Sequence, residues 1–266
     1  MMNTRRMTII AVALILIGGI GSLFVHFLSE QPQAVHAEKA YTEEAITNMQ
    51  IDITNGEVQL LPSSDERIHV RLTGTAKGQE HLTTIVDDDT LQIDIIDDTE
   101  KKWFSFGFYE PAYELMVYLP PRQFQSIQLA VDNGSILTRG IEADVFDLHT
   151  INGQIELDRL AAQQVSANTV NGKLSMQDVE GQIVGSSENG MISLHTSSID
   201  RPIELTSTNG SIAIQSNQEP RNVSFDVHTA NGIIDLFGKY DHDSVIGQGE
   251  HRVALSTQNG SIHLTH

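Results

Sequence analysis

The chain contains no cysteine among its 266 residues. Disulfides, thiolate metal sites and cysteine nucleophiles are therefore excluded together. Whatever folds here is held by core packing and strand ladders. Basic residues are also scarce: 16 Lys and Arg stand against 35 Asp and Glu, a formal net charge of −19. That balance argues against nucleic acid as a partner, because nucleic-acid binding needs a basic surface. It argues equally against attraction to anionic lipid headgroups. Such charge keeps a repetitive β-surface soluble and discourages edge-to-edge association; attraction for cations or a basic partner is the competing reading. No Gly-x-Ser-x-Gly nucleophile elbow is present, and no amphipathic helix is evident beyond the N-terminal segment.

Against these absences stands one abundance. Asn-Gly occurs eight times, at Asn55, Asn133, Asn152, Asn171, Asn189, Asn209, Asn231 and Asn259. From Asn133 onward the spacings are 19, 19, 18, 20, 22 and 28 residues. A recurrent period near 20 marks a repeat architecture. Aligned on Asn, the copies share their neighbours. The residue six before it is apolar throughout, from Met49 and Ile127 to Val253, and the residue two before it is small or β-branched, as in Thr150, Thr169 and Ser187. The residue three after it is Val58, Ile136, Ile155, Leu174, Ile192, Ile212, Ile234 or Ile262. Mostly polar residues fill the places between.

Alternation of this kind predicts two short strands per repeat, because successive strand side chains point to opposite faces. Gly accepts positive φ freely and Asn tolerates it, so each pair marks a tight change of direction. Two architectures fit the pattern. Asn-Gly as a two-residue hairpin turn gives an antiparallel meander. One repeat per coil gives a β-solenoid in which like stacks on like. The column pattern favours the all-β solenoid, with stacked Asn side chains able to form hydrogen-bonded ladders. Seven coils at about 4.8 Å make a rod on the order of 30 Å long.

The N-terminus reads differently. Met7 to Leu28 carries no formal charge, Arg5 and Arg6 precede it and Glu30 follows. The run is long enough to cross a bilayer as a helix, and the flanking charges keep the N-terminus cytoplasmic. It is expected to be an uncleaved signal anchor. A cleaved signal peptide is the alternative, with Val35 and Ala37 as small residues before Glu38. The expected organisation is a cytoplasmic tip and transmembrane anchor over 1–28, a polar stalk over 29–45, a first, isolated repeat with a β capping region over 46–126, and solenoid repeats over 127–266.

The run Tyr113-Glu114-Leu115-Met116-Val117-Tyr118-Leu119-Pro120, leading to Ile127-Gln128-Leu129-Ala130-Val131-Asp132-Asn133-Gly134-Ser135-Ile136, resembles the β-strand-repeat family of bacterial envelope proteins called "putative adhesins", which includes the LiaG-like proteins. The resemblance covers about residues 46–266. It implies a right-handed β-helix-like fold, an extracytoplasmic location and a link to envelope-stress operons. It implies no catalytic residues.

Several clusters offer candidate chemistry. Trp103, Phe104, Phe106, Phe108 and Tyr109 gather the only Trp with four other aromatics, behind Lys101 and Lys102. Exposed, they form a partner surface; folded back, they plug the solenoid end. Asp87, Asp88 and Asp89, with Asp94, Asp97 and Asp98 nearby, suggest calcium, yet they lack the spacing of an EF-hand loop and read as a solvated turn. His149 and His228 share an outward column four repeats apart, and no histidine spacing matches zinc. Glu156, Asp158 and Asp235 are outward acids without an obvious neighbouring pair for glycoside hydrolysis. The expectation is a non-enzymatic envelope scaffold or adhesin-like surface with no cofactor and no metal. Its partners are the cytoplasmic membrane, cell-wall polymer and envelope proteins. A polysaccharide-acting enzyme and a calcium-dependent adhesion module are the alternatives.

Overall fold

The computed structural model describes residues 11–19, 33–42, 45–76, 80–97 and 112–266. Residues 11–19 are helical (α1). The rest of the described secondary structure is one 19-stranded sheet. Its first six strands are β1 (Gln33–Tyr41), β2 (Asn48–Pro62), β3 (Ile68–Ala76), β4 (Glu80–Asp87), β5 (Thr90–Asp97) and β6 (Ala112–Leu119). β7 (Phe124–Arg139), like β2, runs unbroken through its Asn-Gly. Later repeats split into pairs: β8 (Glu142–Asn152) with β9 (Ile155–Asp158), β10 (Ala161–Asn171) with β11 (Leu174–Gln177), β12 (Gln182–Asn189) with β13 (Ile192–Thr196), and β14 (Ile203–Asn209) with β15 (Ile212–Ser216). The last two are β16 (Val223–Asn231) with β17 (Ile234–Leu236), and β18 (His251–Asn259) with β19 (Ile262–Thr265).

Register decides between the two architectures. β10 lies parallel to β8 and to β12, with Val165 opposite Phe146 and Ile183, and Asn171 opposite Asn152 and Asn189. A meander of hairpins would pair these strands antiparallel. The chain is therefore a β-solenoid, and each repeat is one rung. The alternating apolar columns point inward: Ile155, Leu157, Val165, Leu174 and Ile183 are all fully buried.

One buried column escapes the alternation. Ile141, Leu160, Val179 and Ile199 lie beyond the second strand of their rungs and are at most 4% exposed. They follow a second corner. Gly140, Arg159 and Asp178 precede the first three in the left-handed region, at φ of 62°, 54° and 50°. Two of those corners use residues with a Cβ, so no Gly signal announces them.

The rungs do not stack in chain order, and this overturns the sequential reading. The first repeat is not isolated: β2 pairs with β7 over twelve positions, with Asn55 on Asn133. The other side of β2 is covered by β5 along Asn48–Asp52 and by β6 along Glu57–Pro62. Together β5 and β6 form an outer rung, so the interruption does cap this end. β3 pairs antiparallel with β6, β1 with β3, and β4 with β5. Part of the segment read as a stalk is thus strand β1. At the other end β18 pairs with both β14 and β16. The C-terminal rung is inserted between its two predecessors, and β16 with β17 is outermost. The spatial order is β5 with β6, then β2, β7, β8, β10, β12, β14, β18 and β16. Eight steps at about 4.8 Å give a rod of roughly 38 Å.

The exposed side of β16 is closed by its own following loop. The amides of Val223, Phe225 and Val227 donate to the carbonyls of Ile246, Ser244 and His242 at 2.9–3.0 Å. Phe237, Tyr240 and Ile246 pack against the core there. Covering a free edge in this way blocks pairing with another chain.

One core position conflicts with its surroundings. Thr138 occupies a column otherwise held by Leu60, Leu157, Met176 and Leu194, is 0% exposed, and its hydroxyl finds no hydrogen-bond partner among the described residues. A buried unsatisfied hydroxyl is destabilising. Thr138→Val keeps the shape and is expected to raise the unfolding free energy by about 1 kcal/mol, read as a higher denaturant midpoint at unchanged slope.

Candidate functional site

The Asn-Gly corners form the most regular surface. Asn133 Nδ2 donates to Asn55 Oδ1 at 3.1 Å, Asn152 to Asn133 at 2.8 Å, and Asn171 to Asn152, Asn189 to Asn171, Asn209 to Asn189, Asn259 to Asn209 and Asn231 to Asn259, each at 2.9 Å. Eight amides thus share seven hydrogen bonds along the rod, all pointing one way. The ladder anticipated from the sequence is present, but it passes through Asn259 before Asn231.

The hydroxyl two residues before each of the last six Asn has a different role from a ladder of its own. Thr150, Thr169, Ser187, Ser207, Thr257 and Thr229 donate to the carbonyls of Gly134, Gly153, Gly172, Gly190, Gly210 and Gly260 in the adjacent rung, at 2.8–3.3 Å. Each bond gives a corner carbonyl a side-chain partner in the neighbouring rung. The glycines themselves sit against one another. A Cβ on Gly153 would lie 1.6 Å from the Gly134 carbonyl oxygen. Beside the ladder runs a shallow open groove lined by Gly134, Ser135, Gly153, Gln154, Asn171, Gly172 and Lys173.

The sequence-derived candidates are not gathered by the fold. Trp103, Phe104, Phe106, Phe108 and Tyr109 lie outside the described residues, as do Asp98, Lys101 and Lys102. The chain around them is placed: Asp94 lies opposite Asp52 and Glu114 opposite Glu57. Asp52 and Glu57 stand on either side of Asn55-Gly56 in β2. Glu156 stands opposite Leu137 and Ser175, while Asp235 stands opposite His263. They are five rungs apart, about 24 Å at the strand spacing. Asp158 pairs instead with Arg139 at 2.8 Å and Arg159 at 3.2 Å.

His149 and His228 are also five rungs apart rather than four, because the C-terminal rung intervenes. His228 meets Asp226 at 3.2 Å and the ring of His242 at 6.3 Å between centroids. The hydrogen bond from Arg252 holds the Asp226 carboxyl below its usual range. His266 lies 3.8 Å from Glu219, which also accepts from Lys239 at 2.8 Å. Among the described residues no three His, Asp or Glu come together as metal ligands would.

Asp88 and Asp89 make the turn of the β4–β5 hairpin. The Asp89 carboxylate accepts from Thr47 and Thr90, both at 3.2 Å, and its carbonyl receives the amides of Thr47 and Asn48. It therefore ties the hairpin to the start of β2. Burial, then the neighbouring Asp52 carboxylate, push the Asp94 pKa up.

Met7 to Leu28 falls mostly outside the described residues, and no described helix is long and apolar enough to cross a membrane.

Parallel rungs in strict register and an unbroken amide ladder define this molecule as a parallel β-solenoid. The chain belongs to the Toastrack DUF4097 family, which matches residues 46–185 and again 121–265. The two overlapping matches reflect the internal repeat, and the membership bears out the resemblance drawn from the sequence. Among solved structures, a "putative adhesin" from Bacteroides fragilis is 13% identical, covering 86% of this chain and 97% of its own, with a TM-score of 0.47. A "putative cell adhesion protein" from Clostridium sporogenes is 11% identical over 88% and 99%, with a TM-score of 0.42. A "putative lipid binding protein" from Parabacteroides distasonis is 12% identical over 88% and 96%, with a TM-score of 0.40. No curated protein matches the chain.

Proposed function

We propose that this protein is a membrane-anchored, extracytoplasmic scaffold of the bacterial cell envelope, whose solenoid serves as a contact surface without enzymatic chemistry. The observation that carries this reading is the placement of the outward acids Glu156, Asp158 and Asp235. Glu156 and Asp235 are held five rungs apart, and Asp158 is engaged by two arginines. A glycosidase needs two carboxylates facing one bond, at most about 9.5 Å apart. What repeats on every rung is instead a small polar surface, suited to many weak contacts with an extended polymer.

The location rests on the uncharged run Met7 to Leu28 behind Arg5 and Arg6, which reads as a signal anchor. Strand β1 supports retention of the segment. The small residues Val35 and Ala37 lie inside it, opposite Gly74 and Leu72, so cleavage after Ala37 would halve a strand. A role in envelope stress rests on family resemblance.

Cell-wall polymer is the partner proposed for the solenoid, and Trp103, Phe104, Phe106, Phe108 and Tyr109 are the surface proposed for envelope proteins. Co-sedimentation of the detergent-solubilised full chain with purified cell wall tests the first. Pelleting with wall, retained when Trp103, Phe104, Phe106 and Phe108 become Ser in a folded variant, is the expected result. Failure to pellet with wall removes the adhesin-like reading.

A further inference from the structure

All eight Asn residues carry the same neighbour, Gly, and so the same intrinsic tendency to lose their side-chain amide. Asparagine is thermolabile for this reason. The structure makes the eight sites unequal. Each interior Asn both donates through Nδ2 and accepts through Oδ1 within the ladder. Asn231, at the end of the rod, donates to Asn259 and accepts nothing among the described residues. Ala230, Asn231, Gly232 and Ile233 are all exposed, and Ile233 is 68% exposed. At the other end Asn55 is half-buried within the continuous strand β2, which pairs with β7 through Asn55 and, on its other side, with β5 up to Asp52 and β6 from Glu57.

We propose that Asn231 is the first site of spontaneous deamidation in this protein, and that conversion then follows the spatial order of the ladder, through Asn259 to Asn209, instead of the order of the sequence. In the reaction, hydroxide removes the proton from the Gly232 backbone nitrogen. That nitrogen attacks Cγ of Asn231, the N–Cγ bond forms, the Cγ–Nδ2 bond breaks, and the amide leaves as ammonia with a proton from water. Water then opens the five-membered imide at either carbonyl, giving aspartate or isoaspartate. The attack requires Cγ to swing toward the following nitrogen. An interior Asn must break two ladder hydrogen bonds to do so, Asn231 only one.

The product explains the direction of travel. An aspartate at this position loses the donor and sets a carboxylate against Asn259 Oδ1. An isoaspartate adds a backbone methylene at a corner where even a Cβ on Gly232 would lie 1.9 Å from the Gly260 carbonyl oxygen. Either product loosens the outermost rung, and Asn259 becomes the new end.

The test is to age the folded full-length chain in mild detergent at mildly alkaline pH and to quantify aspartate and isoaspartate at each Asn-Gly by peptide mapping. The chain unfolded in denaturant serves as reference and should convert at all eight sites at comparable rates. In the folded chain Asn231 should convert about five- to tenfold faster than Asn259, the rate equivalent of one net hydrogen bond. Asn259 should precede Asn209. Conversion of Asn171 as fast as Asn231, or of Asn259 before Asn231, overturns the proposal. A folded Asn231→Ser variant should accelerate Asn259 by a similar factor, and an unchanged Asn259 rate in that variant overturns it as well. If the variant does not fold, the order of conversion in the unaltered chain still decides.

Discussion

Gly153→Ala is expected to cost on the order of 4 kcal/mol or more and to leave the middle of the solenoid unable to close. The new Cβ would stand 1.6 Å from the Gly134 carbonyl oxygen and 2.6 Å from its carbon. These are backbone atoms of the next rung, with no rotamer to change, so relief requires the two rungs to separate. Separation breaks the Asn152–Asn133 hydrogen bond and the bond from Thr150 to the Gly134 carbonyl. Gly185→Ala is the control. Its Cβ would meet the Cδ2 atoms of Leu205 and Leu174 at 2.8 and 2.9 Å, and both can turn away. The expected change there is within about 1.5 kcal/mol, as for modest core swaps. Denaturant unfolding of the two variants side by side measures the difference. A Gly153→Ala chain as stable as Gly185→Ala would show that the corner glycines are not packed as described.

Ending the chain after Glu250 is the second large perturbation. In a solenoid stacked in chain order, losing the last coil removes one nearest-neighbour interface. Here β18 and β19 lie between two rungs, so two interfaces disappear together. Val253, Leu255, Ile262 and Leu264, each buried to within 1%, are lost with them. Each such side chain contributes about 1.5–3 kcal/mol when buried. Because the columns repeat, β16 can redock on β14, with Phe225 over Ile203 and Asn231 over Asn209. The expected outcome is a shorter β-rod, destabilised by about 5 kcal/mol, with a reduced denaturant slope because less surface is exposed on unfolding. Circular dichroism through a urea series measures both quantities. A slope and midpoint equal to those of the full chain would contradict the inserted position.

The inward columns were legible because alternation and the fixed offset from Asn-Gly are local properties, and parallel stacking follows when every rung carries the same pattern. The insertion of β18 was not legible. Its columns match those of β14 and β16 equally, so no residue distinguishes a sequential stack from an interleaved one. The only trace is the 28-residue gap between Asn231 and Asn259, which gives the chain enough length to return. The corners at Arg159 and Asp178 were hidden for a different reason, since left-handed backbone there is imposed by the rungs on either side rather than signalled by Gly. Among site candidates, Glu156 and Asp235 lie far apart, while the facing acids Asp52 with Asp94 and Glu57 with Glu114 were not legible, because they depend on β5 and β6 lying beside β2. The spacing of His149 and His228 was misjudged because it assumed chain order.

The interleaved end also bears on how the protein comes into being. Synthesis delivers residues from the N-terminus onward, and rungs β7 to β14 can be laid down as they emerge. The ninth rung in space is the eighth to be made, and its permanent neighbour arrives last. Until His251–Thr265 are delivered, β16 has either no partner or the wrong one, Ile203–Asn209. Completion therefore requires the outer rung to wait or to let go until β18 is inserted beside it. A prematurely terminated product would carry an open, unpaired rung end that quality-control proteases can recognise.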